Sequence, residues 1–251
     1  MASDVAVDAS GRAHVLMREE PVVLVFGASG ELVEEWRGKP MTDGHGIHIS
    51  SDGRIFAVDW DNHRIFVFGP EGEVLSCIGD AERPRFGAPF NHPTDVATAP
   101  DGDIFVSDGY GNSHIHRFTG DGRHVLTFGG PGSGPLEFTT PHAVLIDRQG
   151  RVLVADRENN RVQICSQDGR YLGEIRDLHK PMAIAEGPEG LIYVTDQTPR
   201  LHAFDPGGRL IGRCRTFGTY GHGVDVAPDG SIIVVEMLPS HVTKLVPLHS
   251  A

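Results

Sequence analysis

Three histidines of this 251-residue chain share one register: His45, His142 and His222 each stand eight residues before a glycine, at Gly53, Gly150 and Gly230. Imidazole is a ligand for zinc, iron, copper and nickel. Three protein ligands with one position left for water or substrate is a common catalytic arrangement for zinc. One such histidine carries little information, because the chain has 14 of them. Three at one register mean more if the fold brings them together. Seven residues after Gly11 and Gly150 come Arg18 and Arg157, and eight after Gly53 and Gly102 come Asp61 and Tyr110. A phenol beside a cation is a group that can move a proton. Arginine can also clamp a carboxylate through paired hydrogen bonds.

The elements that position these residues are repeats. "VDASGRAHVLMRE", "ISSDGRIFAVDWD", "TAPDGDIFVSDGY", "IDRQGRVLVADRE", "EGPEGLIYVTDQT" and "VAPDGSIIVVEML" each hold a glycine turn followed by an apolar run. Their glycines are Gly11, Gly53, Gly102, Gly150, Gly190 and Gly230, spaced 42, 49, 48, 40 and 40 residues apart. A further run, a polar turn and another run follow most copies, as in "RIFVFGPEGEVLSCIG". Units of about 40 to 50 residues with four short strands each specify a β-propeller. The expectation is all-β: one six-bladed propeller domain over residues 1–251, with four-stranded antiparallel blades. The last unit is short, so its outer strand is missing or supplied by a terminus.

Equivalent positions of a propeller lie on a circle around its axis. Eight residues before the glycines stand Ser3, His45, Thr94, His142, Met182 and His222. The histidines therefore occupy alternate blades and should converge at one mouth of the central channel. Arg18, Trp60 and Arg157 end second strands and Tyr110 follows one, so all four return to that mouth. Met182 belongs to the histidine circle itself. Six after the glycines come Asp59, Asp108, Asp156, Asp196 and Glu236. Five acids in one register read as structural, each accepting turn amides. His92 is expected to pack beside Pro93, and His63, His114 and His116 to lie on outer loops or the third strand.

"HPTDVATAPDGDIFVSDGYGNSHIHRF", "GPLEFTTPHAVLIDRQGRVLVADRENNRVQ" and "GHGIHISSDGRIFAVD" resemble the peptidyl-α-hydroxyglycine α-amidating lyases, a family of NHL-repeat propellers. The likeness runs through nearly the whole chain and is most specific at "SDGYGNS" and at "PH" followed by "VADREN". It implies zinc held by His45, His142 and His222, Tyr110 as general base, Arg157 as its activator, and Arg18 as activator or carboxylate binder. It implies cleavage of an N-acyl-α-hydroxyglycine into an amide and glyoxylate. The chain also departs from the family. Asn91, Gly111, Leu153 and Ile164 replace cysteines paired in the secreted animal enzymes. The family's calcium-binding aspartate follows the third histidine, where this chain has Gly223, so a structural calcium would keep only backbone carbonyls near Val5 and Ile47. Tyr220 replaces a methionine and reshapes the pocket, where Trp60, Asp61, Tyr220 and Met182 are expected to contact substrate.

Composition narrows the partners. A net charge of -12 disfavours nucleic acid and anionic membranes. Cys77, Cys165 and Cys214 are too few and too scattered for a disulfide framework. No signal peptide or 18-residue apolar stretch is visible. These features point to a cytoplasmic monomer acting on a small α-hydroxy amide. The rival readings are another propeller hydrolase, such as a calcium-dependent lactonase, and a non-catalytic NHL module that binds protein or RNA.

Overall fold

The computed structural model describes residues 1–248. Five antiparallel four-stranded sheets and one three-stranded sheet follow one another in chain order. Blade 1 begins at the inner strand Ala2–Val7, blade 2 at Gly44–Ile49, blade 3 at Asp95–Thr98, blade 4 at Pro141–Ile146, blade 5 at Pro181–Glu186 and blade 6 at Gly221–Val226. Blade 6 ends at its third strand, His241–Leu245. The short last unit is thus a blade without an outer strand among the described residues. Two features lay outside the repeat: a small parallel pair, Gly130–Pro131 with Glu137–Phe138, between blades 3 and 4, and a 3-10 turn at Arg157–Asn159.

The apolar periodicity of the strands explains the packing. A blade alone would leave both faces wet, so each face packs on its neighbour. Six clusters of buried side chains result, one per seam. Leu16, Val25, Ile55 and Phe68 join blades 1 and 2. Val5, Val15, Ile233 and Val235 join blades 1 and 6, closing the ring. Closure is completed by hydrogen bonds between the two ends of the chain. The Val7 amide donates to Asp225 Oδ2 at 2.7 Å and the Ala2 amide to Ser240 Oγ at 2.9 Å.

The first hairpin of each blade turns at its repeat glycine. Gly150 illustrates it: its φ is +73, a region costly for any side chain, and its amide donates to the Asp147 carbonyl at 2.8 Å. The register acids cap the loops entering their blades. Asp156 accepts the Thr139 amide at 2.8 Å, Asp108 the Asn91 amide at 3.0 Å, Asp59 the Asp43 amide at 3.1 Å and Asp196 the His179 amide at 3.1 Å. Each is fully buried. Most also hold a third-strand base, as Asp156 holds Arg161 at 2.8 Å and Asp108 holds His116 at 3.1 Å.

Candidate metal centre

Plain strand alternation would not aim a side chain along the propeller axis. In five blades the inner strand slips register at the circle position, between Ala2 and Asp4, Gly44 and Ile47, Pro141 and Ala143, Pro181 and Ile184, and Gly221 and Gly223. Such a bulge turns a residue out of the pleat. His45, His142 and His222 sit in three of these bulges. Their ring centroids form a triangle with 4.9 Å sides. Their ligand atoms all lie within 4.8 Å of one another, and all three residues are buried.

Each imidazole is oriented by the next blade. His45 Nδ1 donates to the Thr94 carbonyl at 2.6 Å, His142 Nδ1 to the Met182 carbonyl at 2.8 Å, and His222 Nδ1 to the Ser3 carbonyl at 2.8 Å. A carbonyl only accepts, so each Nδ1 carries the proton and each Nε2 keeps its lone pair. The acceptors are the other three members of the same circle. This is the outer-shell arrangement that orients metal-binding histidines. Burial first, then neighbouring positive charge, holds His45 and His142 well below the usual imidazole pKa; His222 is lowered to about 3. Three neutral imidazoles with free Nε2 atoms are a fitting donor set for a divalent transition metal.

Tyr110 reaches the same point. Its hydroxyl lies 2.9 Å from His45 Nε2 and 3.2 Å from His142 Nε2, and the residue is 38% exposed. Arg157 stands 5.5 Å over the Tyr110 ring and Arg18 lies 5.8 Å from the Trp60 ring. Both arginines favour the phenolate, yet burial outweighs them and the Tyr110 pKa is raised. Arg157 and Arg18, the two expected activators, thus act against the desolvation of the phenol. Trp60 packs 5.3 Å from Tyr110 and 6.4 Å from His45, forming an apolar wall. Tyr220 is half-buried and near enough for its charge to affect Tyr110. Met182 is buried beside the trio, and Gln197 Nε2 donates to its sulfur at 3.2 Å.

Asp61 stands apart. Its side chain is 66% exposed and lies 3.5 Å from His92 Nε2, at the rim. His92 does more than pack beside a proline. It adopts φ +59, its ring lies 5.6 Å from Trp60, and it backs the wall of the mouth. His63 is buried, accepting the His92 amide at Nδ1 at 3.1 Å. The sequence reading gave no role to two acidic partners of the arginines. Asp43 pairs with Arg18 at 3.3 Å, and Glu158 bridges Arg157 at 3.0 Å and Lys180 at 2.9 Å. Asp43 and Lys180 sit between blades, outside the repeat, so no register marked them.

Deeper in the channel, Asp4, Asp95 and Asp225 line a cavity of about 70 Å³ with His48. Asp4 Oδ2 accepts the Ile47 amide at 2.9 Å and Asp95 Oδ2 the Val144 amide at 2.9 Å. Burial pushes Asp95 up to about 7 and Asp225 to about 6. A Cβ on Gly223 would lie 2.2 Å from Asp4 Oδ1. Asp4, from the neighbouring blade, fills the space of an aspartate at position 223. The calcium ligand implied by the resemblance is absent, and these carboxylates tie blades together.

The fold and site define an NHL-repeat β-propeller: the NHL repeat matches residues 90–118 and 138–165. Its relatives include proteins named as α-amidating lyases and one named for its NHL repeats. The chain is 29% identical over 254 residues to a probable peptidyl-α-hydroxyglycine α-amidating lyase of Caenorhabditis elegans, covering 92% of this chain and 69% of the worm protein. It is 34% identical over 167 residues to peptidyl-glycine α-amidating monooxygenase B of Xenopus laevis, covering 62% of this chain and 19% of the frog protein. It thus spans about a fifth of the amphibian monooxygenases. Human NHL repeat-containing protein 3 is 28% identical over 98% of this chain and 79% of its own length. A streptogramin B lyase structure superposes with a TM-score of 0.72 at 14% identity, covering 97% of this chain and 92% of that one; this likeness concerns the fold.

Proposed function

We propose that the protein is a metal-dependent lyase, using zinc or another divalent transition metal, that cleaves the C–N bond of a small N-acyl-α-hydroxyglycine-like hemiaminal. The products are an amide and a carbonyl compound such as glyoxylate. The observation that carries this reading is the meeting of three Nε2 lone pairs with the Tyr110 hydroxyl. His45, His142 and His222 would hold the ion, which when bound supplies Lewis acidity toward an oxygen.

The chain's own residues account for the proton. In R–CO–NH–CH(OH)–R′ the hydroxyl loses a proton, its C–O bond becomes C=O, the C–N bond breaks, and the nitrogen gains a proton. Tyr110 is the group to carry it: as phenolate it takes the hydroxyl proton, and as phenol it returns one to the leaving nitrogen. Arg157 and Arg18 favour the phenolate against burial. Arg18 Nε is buried without a hydrogen-bond partner, so Arg18 is suited to a substrate carboxylate. Trp60 and Tyr220 wall the pocket and limit water. The substrate is a small molecule.

A calcium lactonase reading would need oxygen ligands at this mouth, and the mouth presents imidazoles. The test is incubation with a panel of N-acyl-α-hydroxyglycines and other α-hydroxy amides, measuring carbonyl release, with Tyr110→Phe as control. Carbonyl release by the parent, lost in the variant, is expected. No turnover across the panel would sink the lyase reading and leave the fold intact.

A further inference from the structure

The two arginines of the mouth are held differently. Arg157 Nε donates to Glu158 at 3.0 Å, and Glu158 is also held by Lys180 at 2.9 Å. Arg18 makes a single polar side-chain contact among the described residues: Nη1 donates to Asp43 Oδ1 at 3.3 Å. Its Nε is buried and has no acceptor. The indole Nε1 of Trp60 is also buried without one. It is directed at the same Asp43 carboxylate but falls short of hydrogen-bond geometry. Arg18 lies 5.8 Å from the Trp60 ring, and that ring lies 6.4 Å from His45. Asp43 is therefore the carboxylate common to two side chains that wall the candidate metal centre.

Asp43 itself comes from a fixed point. Its amide donates to Oδ1 of the fully buried Asp59 at 3.1 Å, and its carbonyl accepts the Trp60 amide at 3.2 Å. The contact at Nη1 engages one end of the Arg18 guanidinium. Nε and Nη2, which form its side edge, keep no acceptor among the described residues. Such an edge takes a carboxylate through two parallel hydrogen bonds. A buried donor without an acceptor is costly, so the Nε–H calls for an oxygen brought from outside the protein. The Trp60 ring beside it keeps water from an ion pair formed there, and the pair gains strength from the lower dielectric. Arg18, Arg157 and Lys180 face Asp43 and Glu158 at this mouth, so an anion is admitted despite the charge of Asp43.

We infer that Asp43 is a positioning residue that makes the mouth selective for a free carboxylate. It holds Arg18 and Trp60 so that the Nε–Nη2 edge of Arg18 receives the carboxylate of the substrate. This inference rests on the reading of the mouth as a lyase site and names its substrate class more closely. Hemiaminals that end in a carboxylate are taken, and their neutral amides and esters are discriminated against.

The probes are N-acetylglycine and its neutral twin N-acetylglycinamide, titrated by calorimetry against the metal-loaded protein. Both lack the hydroxyl and cannot turn over. The acid should bind at least about tenfold more tightly, the worth of hydrogen bonds to a charged group. Asp43→Asn, which keeps the shape and removes the charge, should weaken the acid by about tenfold and leave the amide unchanged. Equal binding of the two probes by the parent would overturn the inference. So would an Asp43→Asn variant that binds the acid as tightly as the parent or more tightly, which would make Asp43 a mere opposing charge. Equal weakening of both probes would assign it a structural part and overturn the inference too. A parent that binds the probes as expected yet cleaves no α-hydroxy amide would fail the lyase reading alone, and cleavage of acid and amide substrates with equal KM would fail this inference alone.

Discussion

His142 Nδ1 donates a 2.8 Å hydrogen bond to the carbonyl of Met182, the residue that holds its own register in the next blade. The same bond joins His45 to Thr94 and His222 to Ser3. Three blades thus supply imidazoles and the other three supply the acceptors that orient them.

Metal content should follow this geometry. The parent protein is expected to hold about one transition-metal ion per chain, and His45→Ala, His142→Ala or His222→Ala should lower affinity by roughly 100-fold or more, beyond the loss typical of an outer-shell partner. Elemental analysis after dialysis against a weak chelator reads this. Unchanged metal in all three variants would refute the centre.

Tyr110→Phe should keep the metal and lose turnover. General acid–base groups contribute roughly 10²- to 10⁴-fold, so a kcat reduced within that range is expected, with KM little changed. Rate loss together with metal loss would instead assign Tyr110 a structural part.

Asp156→Ala should unfold the protein more easily without touching the mouth. Asp156 is fully buried and accepts from Thr139, Asn159, Arg161 and Gln163. Its removal breaks the fully buried pair with Arg161, which keeps Glu174 at 3.1 Å, and unpairs the other donors, a loss of about 3 kcal/mol. Urea unfolding checks this, and a change below about 1 kcal/mol would show the register acids are not structural.

Two buried groups set opposed pH dependences in the metal-free protein. Burial holds His48 at about 4, against 6.5 for the free side chain. Between those values the unfolded chain binds a proton that the folded chain does not. This stability is fully present above about pH 6.5 and is lost as pH falls toward 4. Asp95 works in the opposite direction: its folded value of about 7 lies above 3.8, so its contribution is lost as pH rises through 7. The Asp95 loss runs from about pH 3.8 to 7 and offsets the His48 gain between pH 4 and 6.5, so only the Asp95 loss remains above pH 6.5 and stability should fall there. A urea midpoint at pH 7.5 above that at pH 6.5 would contradict this.

Much of the fold was legible because a propeller repeats one pattern. The glycines at 11, 53, 102, 150, 190 and 230 all adopt positive φ, and counting from them placed His45, His142, His222, Arg157 and Tyr110 at one mouth. What lies between blades was not legible. Asp43 meets Arg18, and Lys180 joins Arg157 through Glu158, from loops that no period predicts. Asp61 shares Tyr110's register yet lies at the rim, because register sets the circle and not the direction of a side chain.

By itself the sequence determined the period, the strand pairs and which residues share a circle, since these follow from local turns and the two-residue alternation of strands. Only the tertiary structure decided that three imidazoles face inward with their Nε2 atoms free. That outcome needs bulges in the inner strands and carbonyls from neighbouring blades, and both exist only once the ring has closed.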